Sequence, residues 1–107
     1  MRQHQRGRLW AAADAPVAGE RIDRVLERDG VVIEQILSSA DVEPVTYDQD
    51  HDEWVVVTGG SATLDVGGEE LVLGAGEWIL LPARTRHRVV STEAGTTWLA
   101  VHLPSTA

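Results

Sequence analysis

Glu53-Trp54-Val55-Val56-Val57-Thr58-Gly59-Gly60-Ser61-Ala62-Thr63-Leu64-Asp65-Val66-Gly67-Gly68 is the stretch that decides the fold class. Two runs rich in β-branched side chains each end on a glycine pair, and such pairs supply the positive φ angles of tight hairpin turns. The same punctuation extends in both directions. Downstream, Leu71-Val72-Leu73 meets Gly74-Ala75-Gly76, Trp78-Ile79-Leu80-Leu81 runs up to Pro82, His87-Arg88-Val89-Val90 follows, and Thr97 to Leu103 comes after Gly95. Upstream, Asp29-Gly30 divides Arg24-Val25-Leu26-Glu27 from Val31 to Leu37, a strong hairpin signal. This makes about eight strands at the roughly 8–12-residue spacing of a sandwich or barrel. Apart from at most one turn between Ile22 and Leu26, no helical period is sustained. The sequence therefore predicts an all-β protein. Several runs are apolar on both faces, so the sheet is expected to be covered on both sides, by a second sheet or by another subunit, and a homodimer follows.

A chain of 107 residues suits one folding unit. With 43% apolar and 24% charged residues it lies outside the range of disordered chains, so independent folding is expected. Seventeen acidic against nine basic side chains give a net charge of -8, a field that repels phosphate backbones and anionic lipid and argues against nucleic-acid and membrane partners. The basic groups Arg2, Arg6, Arg8 and Arg84, Arg86, Arg88 read as solvated charge rather than as a binding stripe. Without cysteine there is no disulfide, thiolate nucleophile or Cys-type zinc site. No run approaches the ~18 apolar residues of a membrane span. Leu9-Trp10-Ala11-Ala12-Ala13 is too short for a signal-peptide core and stops at Asp14, so a cytoplasmic protein is expected. Residues 1–18 are expected to form a flexible or loosely packed arm.

The chemistry must come from few residues. His4 lies in the arm, whereas His51, His87 and His102 fall within or beside expected strands. If the strand at Glu53 begins early, alternation puts Gln49, His51, Glu53 and Val55 on one face, with Asp48, Asp50 and Asp52 on the other. Adding His87 from a second strand gives two histidines and a carboxylate, a set that leaves open positions on a non-heme iron, manganese or zinc ion. His102 could supply or replace one ligand. The competing reading is of histidines held in ordinary hydrogen bonds. Trp54, Trp78 and Trp98, in a chain without phenylalanine, are expected in the core or at a subunit interface.

Two stretches resemble the conserved motifs of the cupins. Glu53 to Gly60 looks like the second half of the first motif, a glutamate followed after six residues by a glycine. Gly76-Glu77-Trp78-Ile79-Leu80-Leu81-Pro82-Ala83-Arg84-Thr85-Arg86-His87 looks like the second. The resemblance implies a double-stranded β-helix, a single cupin domain over residues 1–107, with Glu53 and His87 directed into the barrel around a divalent metal. Two departures stand out. The family's paired histidines are here Tyr47 and Gln49, while Arg84 and Ser91 replace a glycine and an asparagine. Arg84 fits that place if the local turn needs no positive φ.

The expected metal set is accordingly Gln49, His51, Glu53 and His87, holding Fe, Mn, Zn or Ni, with Tyr47 and His102 as catalytic candidates. His51 and His102 both remain open as substitutes for the missing histidines. Such a site points to an enzyme acting on a small molecule, by oxygenation, isomerisation, decarboxylation or lyase chemistry. The alternative is a non-catalytic barrel that binds a sugar-like molecule without metal.

Overall fold

The computed structural model describes residues 3–105. Eight strands follow one another: β1 (Glu20–Arg28), β2 (Val31–Ser38), β3 (Glu53–Gly59), β4 (Ser61–Val66), β5 (Glu69–Gly74), β6 (Trp78–Leu81), β7 (His87–Thr92) and β8 (Thr96–His102). They form two antiparallel sheets, one of five strands in the order β1-β2-β8-β3-β6 and one of three in the order β5-β4-β7. The only helical element among the described residues is a 3₁₀ turn at Ala12–Asp14. No helix there is long and apolar enough to cross a membrane.

The turns follow from the residues read in the sequence. Asp29 and Gly30 both have positive φ, 53° and 81°, the geometry of a two-residue hairpin whose twist matches its flanking strands. Between the sheets, Val55, Val57, Ala62, Leu64, Leu73, Leu81, Trp98 and Ala100 make the buried core. Alternation within β3 and β8 sends every second side chain into it.

The N-terminal arm lies across the outer face of β1 and β2. The Trp10 backbone N–H donates to Gln35 Oε1 at 2.7 Å and Gln35 Nε2 returns a bond to the Trp10 carbonyl at 2.9 Å. Arg21 sits 3.5 Å over the Trp10 ring, and Trp10 Nε1 donates to Asp23. This cover explains why Gln35 and Leu37, which point away from the core, are nonetheless buried.

One expectation is corrected. Arg84 has φ of +66°, so the turn does need the left-handed region and arginine occupies it at a steric cost. Its backbone N–H is held there by the Gln49 carbonyl at 2.7 Å.

Candidate functional site

A cavity of about 160 Å³ opens between the two sheets. Its floor is apolar, built by Ile36, Val55, Leu64, Val89 and Trp98. Its polar lining comes from Glu20 and Glu34 on β1 and β2, Tyr47 and Gln49 before β3, Glu53 on β3, His87 on β7 and His102 at the end of β8. Local folding explains these placements. Glu53 opens β3 between Leu81 of β6 and His102 of β8, and the alternation that buries Val55 and Val57 turns it inward. His87 opens β7 and is clamped to Tyr47 by a reciprocal pair of backbone bonds at 2.8 and 3.0 Å. The Tyr47 and His87 rings stack at 5.7 Å.

Glu53 Oε1 lies 3.7 Å from His87 Nε2, with both side chains about nine-tenths covered. Burial pushes the Glu53 carboxyl upward, but the His87 contact, the His102 and His87 charges and the nearby Gln49 amide outweigh it and hold the group below its ordinary value. Glu53 raises the His87 imidazole above its ordinary value, with burial opposing and the Thr85 carbonyl, 2.9 Å from Nδ1, assisting. The pair thus favours carboxylate beside imidazolium, a proton acceptor next to a proton donor. Burial and the carboxylates Glu20, Glu53 and Glu34 push the Tyr47 phenol up, keeping it a neutral hydrogen-bond donor.

Glu53, His87, Gln49, Tyr47 and His102 line the cavity together, whereas His51 is not part of its lining. The strand begins at Glu53, not at Gln49, so strict alternation does not extend to His51. The chain bends at Asp50 and His51, and Asp52 just beyond is held by the Ala83 N–H on its Oδ1 at 2.8 Å and by the Leu103 N–H on its carbonyl at 2.9 Å. His51 turns instead to His102, with Nε2 and Nδ1 2.9 Å apart, and its own Nδ1 meets Asp50 at 3.0 Å. His102 Nε2 continues the chain to Glu34 Oε1 at 2.8 Å. The sequence reading missed Glu34 and Glu20. Glu34 does carry a signal: it is the one charged side chain in the inward row Val32, Glu34, Ile36, Ser38.

A divalent ion of the kind the resemblance implies needs about three strong protein donors converging on one point. Among the described residues no three His, Cys, Asp or Glu side chains do so. Both ring nitrogens of His51 and of His102 are engaged in the Asp50–His51–His102–Glu34 chain, leaving His87 and Glu53 with the weaker Gln49 amide. The donor set as arranged does not fit a resident metal.

Comparison with solved structures shows the fold widely. A Ralstonia eutropha protein described as a candidate mannose-6-phosphate isomerase is 40% identical over 94% of this chain and 99% of its own, with a TM-score of 0.78. KdgF from Halomonas sp. is 18% identical over 82% of each chain, with a TM-score of 0.75. A cupin superfamily protein from Desulfitobacterium hafniense is 18% identical over 94% of each chain, with a TM-score of 0.74. No curated protein matches the chain. Residues 33–102, from the middle of β2 to the end of β8, match the cupin domain family. With the two sheets, the inward Glu53 and His87 and this match in agreement, the chain belongs to the cupin domain family, and its architecture is the cupin β-barrel.

Proposed function

We propose that the chain binds a small organic molecule in the cavity between its sheets and acts on it by acid–base chemistry of isomerase or lyase type. The observation that carries this reading is the placement of the buried Glu53–His87 pair on the cavity surface rather than sealed within the core. A buried ion pair contributes little to stability compared with apolar packing, so its position over an apolar floor is better explained by a ligand. Glu53 accepts a proton, His87 donates one, and Tyr47 offers a neutral hydroxyl beside them. The cavity is smaller than the ~300–1,000 Å³ of sites for drug-sized ligands, which suits a metabolite. The description of the Ralstonia relative supports the isomerase class of reaction alone; the phosphorylated sugar it names is not carried over to this chain. A resident metal has no part in this reading, because among the described residues no three His, Cys, Asp or Glu side chains converge on one point of the cavity.

The test is a ligand-observed NMR screen of small polar metabolites against wild type, Glu53→Ala and His87→Ala, beside elemental analysis of the untagged protein. Ligands of the wild type should lose about tenfold or more in affinity in both variants, with metal well below one equivalent. Binding that ignores both substitutions sinks the site. Near one equivalent of a first-row metal, lost in both variants, would overturn the metal-free reading and redirect the site to Lewis-acid chemistry.

A second copy of the chain is the occupant best suited to the outer face of the larger sheet. On β2, β8, β3 and β6 that face carries no charged side chain, although about a quarter of the chain is charged. Trp54 and Trp78 lie ring to ring at 5.9 Å, and Trp78 and Leu80 are 60% and 45% exposed. In a two-fold dimer like charges meet near the axis, so a chain of net charge -8 associates with itself most readily through an uncharged face.

A further inference from the structure

The geometry points to a cavity that accepts an uncharged or ammonium-bearing molecule and rejects phosphorylated and carboxylated ones; this rests on the ligand-binding reading above and narrows it. Three carboxylates, Glu20, Glu34 and Glu53, line the cavity. Facing them are only the imidazoles of His87 and His102, and His102 is held by Glu34. The chain has no lysine, so its nine Lys-plus-Arg positions are all arginine, and none lines the cavity.

Arginines on adjoining elements make exposed surface pairs outside the cavity lining. Arg24, the register partner of Glu34 on β1, holds Glu27 at 2.7 Å. Arg84 stands 3.6 Å from Asp48, and Arg86 lies 3.9 Å from the same carboxylate. Tight phosphate recognition uses an arginine fork, a lysine or the N-terminus of an α-helix. The cavity has neither cation, and there is no α-helix among the described residues. Even with His87 carrying a proton, three carboxylates leave an excess of negative charge; Glu20 is solvent-exposed, whereas Glu34 and Glu53 are largely covered, where like charges repel more strongly than in water. An ammonium group there gains from the same field. Glu20 adds a carboxylate from the edge strand β1, beside the β2 strand of Glu34; Ser38 Oγ donates to it at 2.7 Å, and it is close enough to raise the Tyr47 phenol.

The experiment compares matched probes that differ only in charge: glycerol, glycerol 3-phosphate and 3-amino-1,2-propanediol, and glucose, glucose 6-phosphate and glucosamine. Affinities are measured by ligand-observed NMR at neutral pH with chelator present, on wild type and on Glu20→Gln and Glu34→Gln, each checked for folding by thermal melting. The ammonium member of at least one triple should bind about tenfold or more tighter than its phosphate, with the uncharged member between them. Either glutamine variant should narrow that ratio. Equal or tighter binding of the phosphate in wild type, or a ratio unchanged in both variants, overturns the inference while leaving the cavity a ligand site. Absence of binding by every probe tells against the ligand-binding reading itself and removes the inference with it.

Discussion

Replacing Glu53 by glutamine keeps the side chain's shape and removes its charge, and so isolates the interaction with His87. At 3.7 Å, with an effective dielectric constant of about 20, the attraction between the two charges is roughly 4–5 kcal/mol. Taking two groups this deeply covered out of water offsets most of it, leaving a net contribution of about 1–2 kcal/mol. For a domain of this size that corresponds to a fall in Tm of about 5–15 °C. The fall must depend on pH. His87 is raised above 6.5, so its contribution is complete below that value and is lost as pH climbs through the folded pKa. Glu53 is lowered beneath 4.5, so its contribution is complete above that value and is lost as pH drops through the folded pKa. The wild type should therefore exceed Glu53→Gln most between about pH 4.5 and 6.5. At alkaline pH the gap should close or reverse, because a buried carboxylate beside a neutral imidazole is poorly compensated. Thermal unfolding followed by circular dichroism across that range measures the gap, and NMR titration of the imidazole follows His87 directly. A gap independent of pH, or a His87 titration unmoved by Glu53→Gln, would refute the reasoning.

Two further substitutions probe other features. Arg84→Gly should raise the denaturant midpoint by the equivalent of about 0.5–1 kcal/mol, since relief of the left-handed strain exceeds the added freedom of the unfolded chain and the exposed Arg84–Asp48 contact is worth little; a lower midpoint means the arginine side chain matters more than its backbone. Trp78→Glu places a charge on the exposed edge strand of the uncharged outer face, and sedimentation should report a dimer for the wild type and a monomer for the variant, with little change in the melting of the monomer; a wild type that is already monomeric at micromolar concentration removes the second copy from that face.

The positions of all eight strands were legible in the sequence, because side-chain alternation and positive-φ turns are local properties that a run of residues carries by itself. The runs at 31–37, 53–57, 62–66 and 78–81 fall within β2, β3, β4 and β6. The inward direction of Glu53 and His87 was implied by the resemblance to the cupin motifs; behind Glu53 the alternation of β3 agrees with it, whereas β7 shifts register between Val89 and Ser91, so alternation alone does not aim His87. His51 was different. Whether it shared a face with Glu53 depended on where β3 starts; the chain bends at Asp50 and His51, and His51 meets His102, 51 positions away in the chain. The direction of His51 toward His102, the closure of that chain by Glu34, the left-handed backbone at Arg84 and the cover that Trp10 lays over Gln35 share this character. Each is set by hydrogen bonds or packing between segments that meet only once the sheets have formed. The sequence by itself determined which residues alternate and where the chain turns; the tertiary structure alone decided which polar groups satisfy one another and which are left facing the cavity.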